Sequence, residues 1–353
     1  MSSNSVAASD IETHAQAIAT QAGEQLLAQH GDIDARFGAD AQEMWTDHLQ
    51  QRLMELSVAL AAGDNKLFAT RLVWSRSAMQ ARGLTAEDMD NSLAALRTAL
   101  AEQLSDDSGT AALEYIDRAT QALGRGTPGK LDSALDAGVP LDRLALQYVQ
   151  TVVAGNALAG MQLVIDAVQH GTSISDAYLR VLLPAQQEVG RLWHLNELSV
   201  SEEHLVSYTT QRLMATLSSQ AQRKPDNGFT AVAGAVAGNV HDIGIRAISY
   251  LLEIEGWRTI YLGSDIPQEE LPNTLDTYAA DVLLLSVALT SQIPATTRTI
   301  ETIRANTKHS VKILVGGNGL TERHELWREI GADGYAADAE TALKLSLEFA
   351  AKP

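Results

Sequence analysis

Between residues 229 and 350 the chain alternates five short apolar runs with five amphipathic ones, a pattern met by a doubly wound sheet of parallel strands and by few other folds. The apolar runs fall at 229–237, 257–262, 282–289, 311–315 and 334–336. Amphipathic stretches follow at 243–255, 268–279, 295–306, 321–330 and 339–350, leaving room for a right-handed crossover after each strand. Open sheets of this kind collect ligands beyond the carboxyl ends of their strands. The residues just past each run are therefore the ones to read for chemistry.

The first run is followed by Asn239-Val-His-Asp-Ile-Gly244. Asn239, His241 and Asp242 fall in the crevice, Ile243 opens the next helix, and Gly238 and Gly244 remove bulk so that a large flat ligand can approach the backbone. An imidazole in such a loop can reach a metal. The third run ends with small hydroxyls at Ser286 and Thr290. The fourth ends in Gly316-Gly317-Asn318-Gly319, which suits an inserted ligand tail. Taken singly, each has a plain structural alternative: a surface histidine, a core hydroxyl bonded to backbone, a glycine turn. Gly234-Ala-Val-Ala-Gly238 lacks the Gly-x-Gly-x-x-Gly spacing, so nicotinamide binding has little support.

The rest of the chain reads as helix. Trp45, Leu49, Leu53, Leu56 and Leu60 recur at spacings of three and four, as do Leu93, Leu96, Leu100 and Leu104. Arg82-Gly83 closes one helix, and Thr85 with Asp88 has the form of an N-cap pair for the next. Glycine and proline cluster at 124–129, which marks a boundary. Beyond it, Pro140 opens a helix, Ser173 to Asp176 form a cap, and Ser199 or Ser201 precedes a helix with Glu202 and Glu203 in its first turn. The expected organisation is multidomain α and α/β: an acidic helical domain at 1–126, a helical bundle at 131–225, and a Rossmann-like five-stranded parallel sheet at 228–350. Around one bundle turn stand Trp193-His194 and Glu203-His204. The indole offers a flat apolar cover and the others offer polar contacts, although core packing for Trp193 and a surface place for Glu203 are the simple alternatives.

Charge and composition remove several classes. With 44 acidic against 26 basic residues the formal charge is −18, and no basic stripe offsets it, so direct nucleic-acid binding is not expected. No run approaches the ~18 apolar residues needed to cross a membrane. The first residues carry no signal-like pattern, and a soluble cytoplasmic protein is expected. Cysteine is absent, which excludes thiolate metal sites and thioether-linked chromophores.

Taken together, His241 after the first strand, Ser286 at the third and Gly316-Gly317 at the fourth resemble the cobalamin-binding domain pattern, Asp-x-His-x-x-Gly, then Ser-x-Leu, then Gly-Gly. The likeness spans about 228–350. Asn239 stands in place of the aspartate and Ala288 in place of the leucine. The resemblance implies that His241 displaces the cofactor's own dimethylbenzimidazole as lower cobalt ligand. Ser286 then contacts the displaced base, and the nucleotide tail lies by Gly316 and Gly317. A neutral amide at 239 orients the imidazole without polarising it as a carboxylate would.

The stretch from Tyr178 through Trp193-His194 to Glu203-His204 resembles the bundle of cobalamin-dependent photoreceptors. That likeness implies a non-enzymatic light sensor binding adenosylcobalamin, with Trp193 capping the adenosyl group, Glu203 holding it and His204 nearby. His194 would take the upper cobalt position after photolysis. It further implies a homo-oligomer, dimer or tetramer, and in one branch, the photocobilins, a non-covalent bilin such as biliverdin. The light-responsive regulators carry a basic winged-helix domain where this chain has its acidic helices, so a protein partner for that segment replaces DNA. The alternative is a corrinoid carrier for methyl transfer, in which His241 supports cycling between methyl-cobalt and a reduced form, although the Trp/Glu-His set is not what a methyl-sized upper ligand requires. A cofactor-free adaptor with vestigial motifs is the third reading.

Overall fold

The computed structural model describes residues 3–31, 40–104, 106–125, 132–323 and 325–350. Its contacts divide the chain into two units, Met1–Lys130 and Leu131–Pro353.

The first unit is built from helices α1 (Ser3–Gln29), α2 (Ala41–Ala61), α3 (Asn65–Ala81), α4 (Ala86–Gln103) and α5 (Asp106–Arg125). The leucine stripes lie where their spacing put them: Leu49, Leu53, Leu56 and Leu60 of α2 and Leu93, Leu96 and Leu100 of α4 are buried. Thr85 and Asp88 form a reciprocal capping box, the Thr85 side chain accepting from the Asp88 backbone while the Asp88 carboxylate accepts from the Thr85 backbone N–H at 2.7 Å. Such a cap contributes about 1 kcal/mol. Trp45 and Phe68 are core residues, whereas Trp74 is partly exposed. Gly124 and Arg125 close α5; the remainder of the glycine- and proline-rich break lies outside the described residues. One feature of this core goes against its apolar pattern. Arg52 and Glu55 are paired at 2.9 Å with side chains only 2% and 3% exposed.

In the second unit, α6 (Pro140–Val153), α7 (Ala157–Gln169), α8 (Leu183–His194) and α9 (Val200–Gln220) form the bundle. Ser173 caps the short turn Ile174–Asp176, which runs into a π-helical segment, Ala177–Leu182, before α8. The cause is Pro184. It has no N–H to return to the carbonyl four residues back, and the wider turn absorbs the lost bond. Ser199 is the cap of α9, in a capping box with Glu202.

The sheet follows: β1 (Thr230–Val236), α10 (Ile243–Ile254), β2 (Arg258–Ile266), α11 (Leu271–Tyr278), β3 (Val282–Ser286), α12 (Ile293–Asn306), β4 (Lys312–Gly316), α13 (Leu326–Glu329), β5 (Gly334–Ala336) and α14 (Ala339–Ala350). The strands are parallel in the order β2-β1-β3-β4-β5. Every residue of β1 is buried, as expected of a central strand covered on both faces. Two expected elements differ. Strand β3 stops at Ser286 because the Gln292 side chain takes the N–H groups of Ala288 and Leu289, at 3.0 Å each, and draws the chain out of the sheet. The helix expected at 321–330 is a 3-10 segment, Asn318–Arg323, followed by the single turn α13. The bundle core, including Tyr148, Val181, Val206 and Leu213, continues into Ala247 and Leu251 of α10, while the sheet has its own core around Ala231, Leu252, Val282 and Leu314.

Candidate functional site

Strand order changes direction at β1: its chain continues to β2 on one side, while β3 lies on the other. A crevice opens at such a switch point, outside the carboxyl ends of the two strands. His241 follows β1 and Ser286 ends β3, so the topology brings these two positions to one edge.

Asn239 joins them. It is fully buried, and its amide nitrogen donates to the Ser286 carbonyl at 2.9 Å. The amide oxygen accepts the His241 backbone N–H at 3.0 Å and lies 3.2 Å from His241 Nδ1. Because the amide nitrogen is committed to a carbonyl, the oxygen is the end that faces the ring, and Nδ1 must carry the proton. Nε2 is then the lone-pair nitrogen of an exposed imidazole, the arrangement in which histidine binds a metal.

The loop is braced from two sides. Asp265, at the end of β2, accepts from the Gly238 N–H at 2.7 Å and donates its own backbone N–H to the Asn239 carbonyl at 3.0 Å. Register shifts in the β1–β2 pairing and a φ of 53° at Asp265 bring that carboxylate round to the loop. Gln292 donates to the Gly238 carbonyl at 2.9 Å. Asp242 is buried and accepts from Arg246 at 2.7 Å and from the Tyr261 hydroxyl. Ile243 and Gly244 form the first turn of α10.

Gly316 and Gly317 allow strands and loops to approach closely. A Cβ on Gly316 would stand 2.6 Å from the Ala336 carbonyl oxygen, and one on Gly317, where φ is 108°, 2.4 Å from that of Val287. The room these glycines make is taken up by neighbouring backbone at those points. Thr290 is buried, its hydroxyl 3.4 Å from the Gly319 carbonyl.

On the bundle, His194 ends α8 as a buried side chain and Trp193 beside it is half-buried. Both Glu203 oxygens have partners: Oε1 accepts from Ser207 at 2.5 Å and Oε2 lies 2.6 Å from Nδ1 of the exposed His204, whose ring meets Tyr208 edge-on at 6.2 Å. The Ser207 hydroxyl also lies 3.0 Å from Gln186 Oε1, and the Gln186 amide nitrogen donates to Thr210, itself bonded to the buried Tyr148. A polar chain thus runs from bundle core to surface. Burial pushes the Tyr148 phenol up to about 12, so that end of the chain stays protonated. Among the described residues no three His, Cys, Asp or Glu side chains gather as a metal cluster. A single imidazole that completes the coordination of a macrocycle-bound metal needs none. Sequence reasoning missed Asp265, Gln292, Gln211, Tyr261 and Arg246, because loop and helix positions carry no periodic signal of which carboxylate or amide will meet them.

Comparison with known proteins identifies the macrocycle. Residues 229–344 and 144–218 each match a family model described as a B12 binding domain, and residues 3–123 match one described as phycobilisome protein. Dimethylamine corrinoid protein 3 of Methanosarcina mazei is 32% identical over 122 residues, 34% of this chain and 71% of the relative. The chain belongs to the corrinoid proteins. A corrinoid protein of Desulfitobacterium hafniense is 26% identical across 58% of the chain and 95% of its own length. The structure of the Methanosarcina barkeri monomethylamine corrinoid protein overlays 60% of the chain and 99% of that protein with a TM-score of 0.52 at 22% identity, a likeness of fold.

This family placement corrects the photoreceptor resemblance. The relatives are corrinoid proteins, several of them named for methylamines and none of these for light sensing, and the light-sensing, bilin and signalling expectations fall with the resemblance that carried them. The residues that suggested it have local reasons to be where they are. Glu203 sits in the first turn of α9, where the helix dipole favours a carboxylate, and His194 packs inside the bundle. Cobalamin binding and the three-part architecture of helical region, bundle and parallel sheet stand. Among the described residues no helix is long and apolar enough to cross a membrane.

Proposed function

We propose that this chain is a corrinoid carrier, holding cobalamin while a methyl group is passed between separate enzymes. The observation that carries the reading is the Asn239–His241 pair: an exposed imidazole, its Nδ1 proton directed to a buried amide, with Nε2 left to bind at the crevice of a B12 binding domain. The names of the relatives, dimethylamine and monomethylamine corrinoid proteins, support methyl transfer as the use of that site.

The residues present fit the cofactor. His241 serves as lower ligand, Asn239 orients it, and Ser286, Thr290, Ile243, Gly244, Gly316 and Gly317 belong to the same edge of the domain assigned to 228–350. Trp193, His194, Glu203 and His204 belong to the bundle at 131–225, on the side assigned to the upper face. Bound cobalamin supplies a cobalt centre that accepts and releases a methyl group. The protein's own work is to hold the imidazole, fix its tautomer and keep the loop in place. Methyl replaces adenosyl as the upper ligand in this reading, no second chromophore is involved, and the required partner is a methyltransferase rather than another copy of the chain. Catalysis belongs to that partner.

The test uses the full chain loaded with cobalamin, reduced, methylated with methyl iodide, and offered to a corrinoid:thiol methyltransferase. Stoichiometric thioether formation with loss of the methyl-corrinoid spectrum is expected. Failure to bind cobalamin at micromolar concentration, or a bound methyl group that no such enzyme removes, defeats the reading.

A further inference from the structure

Asp242 stands at the N-terminus of α10 but makes no cap to its own helix. The residue is 7% exposed, and its carboxylate is turned sideways into contacts with its own helix and with two other elements of the second unit. Oδ2 accepts from Arg246 one turn along α10 at 2.7 Å and from the Tyr261 hydroxyl of β2. Oδ1 faces Gln211 Nε2 on bundle helix α9 at 3.4 Å. The Arg246 guanidinium lies 4.8 Å over the Tyr261 ring, which locks the first two partners to each other.

A second line reaches the bundle from the same place. Tyr250 lies one turn beyond Arg246 on α10, and its ring stands 6.3 Å from that of Tyr178. Tyr178 belongs to the π-helical segment and donates to the Met214 carbonyl of α9 at 2.5 Å. Gln211 and Met214 are three residues apart on that helix, so they share one face of it. The residue beside the proposed cobalt ligand is therefore tied to α9 directly, and through α10 and the π turn to the next position on the same face.

We propose that Asp242 is the positioning residue of the His241 loop and that its contact with Gln211 is a releasable latch between bundle and sheet. The three bonds are unequal, and the inequality assigns the roles. The Gln211 contact is the longest and involves a neutral donor, so it yields first. When it does, Asp242 keeps Arg246 and Tyr261. No buried carboxylate is left bare, which removes the main cost of separation. The loop stays with the sheet while the bundle edge lifts. The use of this latch, letting a partner enzyme reach the corrinoid without disturbing its lower ligand, rests on the carrier reading above.

Two variants separate the roles, and hydrogen exchange on the full cofactor-free chain reads them. Gln211→Ala is expected to speed exchange in α9 about three- to tenfold, the loss of one long, weak hydrogen bond, with residues 238–244 unchanged. Asp242→Asn is expected to speed exchange at 238–244 by a similar factor, because the charge that holds Arg246 is gone. On cob(II)alamin-loaded protein the fraction showing imidazole nitrogen coupling by electron paramagnetic resonance falls several-fold in Asp242→Asn and holds in Gln211→Ala. Exchange unchanged in both variants, or loop release by Gln211→Ala, overturns the proposal. Because the exchange arm needs no cofactor, an unaltered chain that fails to bind cobalamin defeats the carrier reading and leaves the latch to be judged on exchange alone.

Discussion

Asn239 and His241 are held together twice through one amide oxygen, which accepts the His241 backbone N–H at 3.0 Å and faces its Nδ1 at 3.2 Å, while the amide nitrogen grips the Ser286 carbonyl across the switch point. Backbone and ring are thus oriented by a single buried group. Replacing Asn239 with alanine is expected to weaken cobalamin binding about 10- to 100-fold, as loss of an orienting partner does at histidine metal sites. Spectral titration of the apo-protein measures it, and affinity within twofold of the unaltered chain would show that Asn239 has no such role.

The glycines around this edge should differ sharply in cost. Gly238, with φ 75° and nothing within 4 Å of a built Cβ, pays only the left-handed backbone penalty, and Gly238→Ala should lose about 1–2 kcal/mol. Gly317 adds overlap with the Val287 backbone at 2.4 Å, so Gly317→Ala should exceed about 3 kcal/mol. Denaturant unfolding of both variants gives the comparison, and equal losses would contradict it.

In the first unit, Arg52→Ala takes the ion-pair partner from the buried Glu55 carboxylate and leaves it the charge of Arg71. The expected loss is about 3–5 kcal/mol, whereas replacing both members with apolar residues of similar volume should recover most of it. Unfolding followed through the buried Trp45 reads both. A single variant no less stable than the double one would refute the expectation.

His48 gives the same unit a pH dependence. Burial first, then the neighbouring Arg52, lower its pKa from 6.5 to about 3. A group whose folded pKa is depressed contributes stability that is whole above the unfolded value and is lost as pH falls, because between 6.5 and about 3 the unfolded chain takes a proton that the folded chain refuses. Stability should therefore decline from about pH 6.5 downward, and His48→Gln should flatten that part of the curve. An unchanged slope in the variant would place the titration elsewhere.

Local signals explain what the sequence made legible. The capping boxes at Thr85–Asp88 and Ser199–Glu202 are written within four residues, and the five strand–helix alternations each repeat within one contiguous stretch of chain, so both could be read directly. The orienting amide at 239 was legible because it lies two residues from the ring it serves. What escaped depends on chain segments far apart. Gln292 ends β3 early by reaching back to Ala288 and Leu289 and much further back to Gly238, 54 positions away in sequence, and Asp265 turns into the loop through a bulge that no periodicity announces. The photoreceptor reading failed for a related reason. Trp-His and Glu-His pairs at helix ends satisfy packing and dipole requirements in any bundle, so they cannot by themselves distinguish an adenosyl pocket from an ordinary turn.

The central claim, that the His241 imidazole is the lower cobalt ligand of a corrinoid carrier, is tested most directly by electron paramagnetic resonance of the cob(II)alamin-loaded protein grown with 14N- or 15N-histidine. A nitrogen splitting that changes from three lines to two with the label, and vanishes in His241→Ala, is the predicted result. A splitting indifferent to the label and to that substitution would mean the cofactor keeps its own base, and would contradict the account.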